Sequence, residues 1–169
     1  MKKRDGSGGG NGALAPDCSG KRFALVVARF YSELAERLVV GARRALVDCG
    51  VPDGDVDVFD VPGCFELPLA CRNIFETQRY HALVALGAVV RGETPHFEFV
   101  AGECARGLMD VQLSTGMPIG FGVLTTDTFA QAEERADPER GDKGYHAAIA
   151  AAALLRIAAN APRAGFRLT

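Results

Sequence analysis

The stretch that decides the fold is Ala82–Val90, which reads ALVALGAVV and runs directly into RGETPHFEF at residues 91–99. A run of nine residues without a polar side chain is typical of a strand that is buried on both faces, as in a parallel sheet covered by helices. Thr94 suits a helix N-cap, and Pro95 suits the first helical position. The stretch therefore predicts a parallel strand, a tight turn, and a helix with His96 in its first turn.

On either side of this stretch the chain alternates between short apolar runs and helical patterns. We predict strands in RFALVVARF (22–30), DVDVFDV (55–61), ALVALGAVV (82–90) and PIGFGVLTT (118–126). We predict helices from Ser32, as N-cap, to Gly50, within PGCFELPLACRNIFET (62–77), from Thr94 to about Gly116, from Thr128 to Ala136 and from Lys143 to Ala161. Strands separated by helices form parallel sheets, so we expect a three-layer α/β/α sandwich with a four-stranded parallel sheet.

The composition narrows the class of protein. The chain has 169 residues, of which 48% are hydrophobic, and this fits one globular domain with a sizeable core. A net charge of -2 and the absence of a long Lys/Arg run give no sign of a nucleic-acid partner. Five cysteines without a C-x-x-C motif indicate neither a zinc site nor a disulfide framework, and they favour a reducing cytoplasm.

The N-terminal residues differ from the rest of the chain. Residues 1–20 are rich in glycine and poor in bulky apolar side chains, so we expect a flexible arm, followed by one domain over residues 21–169. The arm lacks the apolar core of a signal peptide. The most apolar tract, residues 147–161, is interrupted by Arg156 and is shorter than the ~20 residues that cross a bilayer, so we expect no membrane partner.

Parallel sheets bind their ligands at the carboxyl ends of the strands. This rule selects four segments, which are 29–31, 62–66, 89–96 and 124–127. Because the strands are expected to be parallel, these segments should converge on one edge of the sheet. The chemistry of a site is therefore expected among their side chains and backbone amides.

The turn before the third helix has two interpretations. The backbone amides from Gly92 to Thr94 can bind an anion, with the helix dipole behind them, or the turn can be no more than a well-capped helix start. His96 can act as a base, because a helix N-terminus keeps an imidazole neutral, or it can be a capping or surface residue. A bound phosphate would favour the charged ring, so the sequence leaves the role of His96 open.

Several other residues also have two interpretations. Phe30 can stack on a planar heterocycle or belong to the core, and Phe65 has the same two possibilities. Glu66 can bind a ligand or only interact with the helix dipole. Arg135 can be no more than a solvated charge on its helix. Taken one at a time, these residues identify no function.

Taken together, the segments resemble the lumazine synthase family. The resemblance rests on ARF, VPGCFELPLA, ALGAVVRGETPHFEFV, FGVLTTDT, AEERA and GDKG, in this order and spacing. It covers the chain from about Phe23 to about Asn160, and GAVVRGETPHF is highly specific to that family. The resemblance implies a flavodoxin-like fold and a cytoplasmic transferase of riboflavin biosynthesis.

The resemblance also implies a reaction. 5-Amino-6-(D-ribitylamino)uracil condenses with 3,4-dihydroxy-2-butanone 4-phosphate to give 6,7-dimethyl-8-ribityllumazine, phosphate and water, the penultimate step of riboflavin biosynthesis. The steps are imine formation, phosphate loss, ring closure and dehydration, without a cofactor or a metal. Two alternatives stay open, which are a riboflavin synthase of the related archaeal type and a non-catalytic relative that forms a shell or binds flavin.

On the pyrimidine side, the resemblance implies roles position by position. Phe30 stacks on the pyrimidine, and the triplet Cys64-Phe65-Glu66 holds the ribityl chain, with Glu66 accepting hydrogen bonds from hydroxyls. The pyrimidine pocket is lined by Ala88, Val89 and Val90.

On the phosphate side, Glu93-Thr94 corresponds to the phosphate-binding turn, and His96 corresponds to the residue that transfers protons. Phe121 and Arg135 correspond to positions contributed by a neighbouring subunit, with Arg135 facing the phosphate. Lys143 corresponds to a second cation near that anion. The resemblance therefore implies a site that two chains share.

Two positions need comment. Cys64 stands where the family usually has Ala, and we expect the thiol to be tolerated as a small hydrophobe; whether it makes the site sensitive to oxidation stays open. Glu93 is unfavourable beside a phosphate, unless the turn binds the anion through its amides and the side chain points elsewhere.

The resemblance implies a homo-oligomer, which can be a pentamer, a dimer of pentamers or a sixty-subunit icosahedral shell. The loop ADPERGDKG (136–144) is short, and this permits a shell. The expected partners are the two small substrates and riboflavin synthase.

Overall fold

The computed structural model describes residues 15–161. The strands are β1 (Phe23–Ala28), β2 (Val56–Val61), β3 (Ala82–Val90) and β4 (Ile119–Thr126). The helices are α1 (Ser32–Asp48), α2 (Leu67–Glu76), α3 (His96–Thr115), α4 (Phe129–Ala136) and α5 (Lys143–Asn160), with short 3-10 turns at Asp53–Asp55 and Cys64–Glu66. The predicted strands and helices are all present, in the predicted order.

The sheet has four parallel strands in the order β2-β1-β3-β4. Phe23 of β1 pairs with Val56 on one side and with Ala82 on the other. The strands β1 and β3 are central and almost wholly buried, whereas β2 and β4 form the edges and carry partly exposed residues. The apolar runs without alternation are thus explained, because the central strands are covered on both faces.

Each face of the sheet has its own hydrophobic core. Leu25 and Val27 of β1 pack with α1, α4 and α5 on one face. Ala24 and Val26 of the same strand pack with α2 and α3 on the other face, because successive side chains of a strand point to opposite sides. This arrangement confirms the three-layer α/β/α sandwich.

Two helix starts differ from the prediction by one residue. The N-cap of α1 is Tyr31, and the Ser32 hydroxyl donates instead to the Arg29 carbonyl oxygen at 2.9 Å. The N-cap of α3 is Pro95, whose ψ of 6° is not helical, so His96 is the first helical residue. His96 therefore lies even closer to the positive end of the α3 dipole than the sequence predicted.

The segment predicted as a flexible arm is described only in part. Residues 1–14 lie outside the described residues. Cys18 is 3% exposed and belongs to the core beside α1, and its amide donates to the Cys49 carbonyl oxygen at 2.8 Å. Cys18 therefore packs against the domain, although it lies within the segment predicted as a flexible arm.

Candidate active site

A cavity of about 260 Å³ opens at the carboxyl ends of β1 and β3. In the sheet, β1 has β2 on one side and β3 on the other. The cavity therefore lies where the strand order reverses. Such switch points are the usual ligand sites of open parallel sheets. The cavity is lined by Phe30, Tyr31, Gly63, Cys64, Ala88, Val89, Val90, Gly92, Thr94, His96, Phe97 and Val100.

Some of these lining residues were not singled out from the sequence. Tyr31 and Gly63 belong to the strand-end segments that the carboxyl-edge rule selected. Phe97 and Val100 follow His96 by one and four residues, so a helical projection of α3 would have placed Val100 on the same face as His96.

Phe30 forms an exposed aromatic wall of the cavity. Its side chain is 74% exposed, and its ring packs edge-to-face against Tyr31, with centroids 4.9 Å apart and planes at 79°. A phenyl ring that stays exposed to solvent does not gain the free energy of burial that a ring in the core gains. Phe30 is therefore available to stack on a planar ligand and is not part of the core.

Cys64 is a buried residue in the lining of the cavity. Its side chain is 4% exposed, and its Sγ lies 3.7 Å from the Ala88 carbonyl oxygen. Burial raises the pKa of the Cys64 thiol to about 12, so almost no thiolate is present at neutral pH. The thiol therefore acts as a packing group, and its burial argues against sensitivity to oxidation.

The fit around this thiol depends on Gly87. A Cβ at position 87 would lie 2.7 Å from the Cys64 Sγ and 2.9 Å from the Ala28 Cβ. The sheet thus leaves no space for a side chain at position 87, and the sulfur fills the volume beside it.

Phe65 and Glu66 lie outside the lining of the cavity. Phe65 is 60% exposed, and the Glu66 Oε2 accepts a hydrogen bond from the Gly63 amide at 2.9 Å. This bond closes the turn before α2 and uses one of the two carboxylate oxygens. Glu66 therefore has a local structural role. Its second carboxylate oxygen is the one that would accept a hydrogen bond from a ligand hydroxyl.

The turn before α3 presents backbone donors. Within residues 15–161, the amides of Gly92, Glu93 and Thr94 donate no hydrogen bond to a protein acceptor. The Glu93 side chain is exposed and does not line the cavity. These amides lie beside His96 at the N-terminus of α3, which is an arrangement that favours an anion.

The remaining predicted residues lie away from this cavity. Phe121, on the edge strand β4, is 48% exposed and lines two other cavities of about 600 and 460 Å³ together with Arg135. Lys143 lines the second of them. His96 lines neither of these cavities. Within one chain, the predicted site residues therefore fall into two separate groups.

The two predicted cations carry uncompensated charge. In the described part of the chain, neither Arg135 nor Lys143 forms an ion pair. Among the described residues, the Arg135 guanidinium donates only to the carbonyl oxygen of Gln131, one turn earlier, at 3.1 Å. An unpaired guanidinium at a cavity is available for a bidentate contact with an anion.

The loop between α4 and α5 fixes the position of Arg135. The Gly141 amide donates to the Glu134 carbonyl oxygen at 3.0 Å. Arg44 of α1 holds the loop from outside, because its guanidinium pairs with Asp142 and donates to the Pro138 carbonyl oxygen at 3.0 Å. No sequence pattern predicts the role of Arg44, since its contacts join α1 to a distant loop of the chain.

No helix within residues 15–161 is long and apolar enough to cross a membrane. In the same described range, no cluster of three or more His, Cys, Asp or Glu side chains is arranged to hold a metal ion.

The fold and the cavity together define an α/β protein with a small-molecule site at the switch point of a parallel sheet. The family model for 6,7-dimethyl-8-ribityllumazine synthase matches residues 20–159. The chain therefore belongs to the 6,7-dimethyl-8-ribityllumazine synthase family, and the family predicted from the sequence is confirmed.

Two relatives show the extent of the similarity. A 6,7-dimethyl-8-ribityllumazine synthase of Anaeromyxobacter sp. (strain Fw109-5) is 51% identical over 147 residues, which are 85% of this chain and 90% of the relative. A protein of the same name from Anaeromyxobacter dehalogenans (strain 2CP-C) is 52% identical over 147 residues, 85% of this chain and 91% of the relative. The similarity thus covers nearly the whole length of both relatives.

Proposed function

We propose that the chain condenses 5-amino-6-(D-ribitylamino)uracil with 3,4-dihydroxy-2-butanone 4-phosphate to give 6,7-dimethyl-8-ribityllumazine, phosphate and water. Family membership supports this reaction and the assignment as a transferase. One structural observation carries the proposal furthest: an exposed aromatic ring, free backbone amides and His96 surround a single cavity. The cavity thus offers an aromatic face for a heterocycle, backbone donors for a phosphate and an imidazole for proton transfer.

The pyrimidine is assigned to the wall formed by Phe30 and the end of β3. The exposed ring of Phe30 stacks on one face of the heterocycle, and base–aromatic stacking of this kind contributes about 1–3 kcal/mol. Ala88, Val89 and Val90 supply apolar contacts and backbone groups along its edge. The ribityl chain then extends toward Cys64, Phe65 and Glu66, where the Glu66 carboxylate accepts from its hydroxyls.

The phosphate is assigned to the turn at Gly92-Glu93-Thr94. Three amides without a protein acceptor within residues 15–161 and the dipole of α3 favour a dianion there. As phosphate leaves, negative charge grows on its oxygens, and donors fixed in advance stabilise that charge without reorganising. Arg135 and Lys143 of a neighbouring chain add positive charge from the other side.

His96 is assigned the proton transfers. The primary amine of the pyrimidine attacks the ketone carbon, and loss of water gives an imine. A proton must then leave carbon before phosphate is eliminated. The second amine attacks the remaining carbonyl carbon to close the ring, and proton transfer to the resulting hydroxyl lets it leave as a second water. An imidazole beside the phosphate turn can accept and return these protons, a contribution of typically about 10²–10⁴-fold.

The division of the site residues supports a homo-oligomer. Arg135 does not line the cavity of its own chain, so a complete site needs a second copy. Large apolar side chains are exposed on α3, among them Met109 at 51%, which lines a cavity together with Phe121; exposed apolar surface of this kind marks association surfaces. We assign a pentamer or a sixty-subunit shell of pentamers, in the cytoplasm, with riboflavin synthase as the partner that consumes the product.

The decisive experiment mixes the purified protein with both substrates and records the green fluorescence of the lumazine together with the release of inorganic phosphate. Formation of both products in equal amounts is the expected result. A riboflavin synthase would instead consume added lumazine and release no phosphate. A non-catalytic relative would give neither signal above the uncatalysed rate, and either outcome would refute the proposal.

A further inference from the structure

Arg91 lies between two cavity-lining residues, Val90 and Gly92, yet the proposed function gives it no role. Its Nε donates to the Asp127 Oδ1 at 2.8 Å, and its Nη1 pairs with the Glu98 carboxylate. Its guanidinium carbon lies 4.2 Å from the centroid of the Phe97 ring. The guanidinium thus contacts two residues of α3 and one residue that immediately follows β4.

These contacts close the phosphate turn into a ring. Arg91 precedes the turn, whereas Phe97 and Glu98 follow it in the first turn of α3, so the ion pair joins the two ends of residues 91–98. Asp127 immediately follows β4, and the Arg91 amide donates to the Thr126 carbonyl oxygen at 2.9 Å. The ring is therefore also anchored to the neighbouring strand of the sheet.

The turn inside this ring has few bonds of its own. Its amides at positions 92–94 donate to no protein acceptor within residues 15–161. A segment whose backbone donors must stay free for a ligand cannot be held by those donors, so it has to be held at its ends. Arg91 provides that restraint through side-chain contacts.

We propose that Arg91 is a positioning residue that holds the turn at residues 92–94 in its anion-binding conformation and keeps His96 beside it. The inference rests on the proposed function, because it concerns the same phosphate. Arg91 is not itself the phosphate ligand: two carboxylates already occupy its guanidinium. These contacts engage the Nε and Nη1 donors, and the two carboxylates offset the positive charge that would attract a phosphate.

Steady-state kinetics with each substrate separates this role from general stability. Arg91→Met should raise KM for the butanone phosphate roughly tenfold, since misplaced binding groups lose much of their effect. KM for the pyrimidine should change little, because Phe30 and the end of β3 lie outside the ring. For Arg91→Lys, the KM for the butanone phosphate should lie between the values of the wild-type protein and Arg91→Met, since an ammonium can pair with one carboxylate but lacks the planar fork.

Glu98→Gln distinguishes positioning from direct binding. If Arg91 only positions the turn, the loss of this pair loosens the ring and raises KM for the butanone phosphate. If Arg91 binds the phosphate directly, freeing it from Glu98 would lower that KM. A lowered KM in Glu98→Gln, or unchanged KM values in Arg91→Met, would overturn the proposal.

Arg106 offers a matched control. It lies on the same helix and also bridges two carboxylates, those of Glu103 and Asp110, but far along the helix from the turn. Arg106→Met removes an equivalent doubly paired arginine and should leave both KM values unchanged. An equal rise of KM in both arginine variants would mean that any ion pair on α3 has this effect, and it would also overturn the proposal.

Hydrogen–deuterium exchange tests the ring without relying on the reaction. Backbone exchange over residues 92–98 should be severalfold faster in Arg91→Met than in the wild-type protein, and inorganic phosphate should slow it only in the wild type. If the wild type forms no lumazine, the proposed function fails, while this measurement still decides whether Arg91 orders the turn. Equal exchange in both proteins would refute the ordering role.

Discussion

Gly141 lies directly against the backbone of Arg135: a Cβ at position 141 would come within 2.6 Å of the Arg135 Cα atom and 2.7 Å of the Glu134 carbonyl oxygen. Both contacts are with backbone, which cannot rotate away as a side chain can. The position of Arg135 therefore depends on the absence of a side chain six residues later.

Gly141→Ala should displace the end of α4 and with it Arg135. We expect a severalfold higher KM for the butanone phosphate and a loss of roughly 1–3 kcal/mol in stability, the range for overpacked sites. Gly54→Ala is the control, because no atom lies within 4 Å of a Cβ at that position. A substrate titration and a urea unfolding curve for each variant provide the measurement, and equal KM values would contradict the assignment of Arg135.

His96→Ala should lower kcat by about 10²–10⁴-fold without abolishing turnover, since one proton-transfer group is lost. KM for both substrates should change little. His96→Gln keeps a hydrogen-bonding side chain and should be nearly as slow, because an amide cannot take up the proton. Wild-type kcat in either variant would mean that His96 is only a surface residue at a helix start.

Phe30→Ala should weaken pyrimidine binding by about 1–3 kcal/mol, the usual effect of losing a base–aromatic stack. Because the ring is 74% exposed, the melting temperature should hardly change. Phe30→Leu retains apolar area without the aromatic face and separates stacking from simple burial. Calorimetric titration with a ribityl-pyrimidinedione analogue measures the affinity, and an unchanged value would remove Phe30 from the site.

Arg135→Ala and His96→Ala should complement each other in mixed assemblies. Each variant alone lacks one half of every shared site, but an intact His96 can meet an intact Arg135 at an interface between unlike chains. After unfolding and equal mixing, about a quarter of interfaces should be complete, with reassociation governed by mass action. Activity equal to the mean of the two parents would show that the site is built within one chain.

Cys64 should make the free energy of unfolding depend on pH in the alkaline range. Burial raises the thiol pKa from 9.0 to about 12, so the folded state keeps the proton that the unfolded state loses. The contribution is complete below pH 9 and is lost as pH rises from about 9 to about 12. Between pH 8 and pH 10.5, Cys64→Ala should lose roughly 2 kcal/mol less stability than the wild-type protein.

Urea unfolding of both proteins at the two pH values, at one protein concentration, measures this difference. The direct comparison cancels the titration of all other groups. Parallel pH curves for the two proteins would mean that the thiol is not desolvated in the folded state.

The sequence by itself determined the order and type of the secondary structure. Ala82–Val90 carries no polar residue, and Gly116 takes the positive φ of 71° that ends α3; such signals act within a few residues and need no tertiary contact. The carboxyl-edge rule also selected segments containing Phe30, Cys64, the end of β3 and His96. These line one cavity because parallel strands place their ends at a common edge.

Only the tertiary structure decided how the other residues relate to that cavity. Phe121 and Arg135 lie at the β4 side, because β4 is an edge strand and α4 follows it. Glu66 closes its own turn, and Arg91 reaches Glu98 and Asp127 across the turn at residues 92–94. Contacts of this kind depend on strand order, register and packing between distant segments, and no local pattern of residue types encodes their geometry.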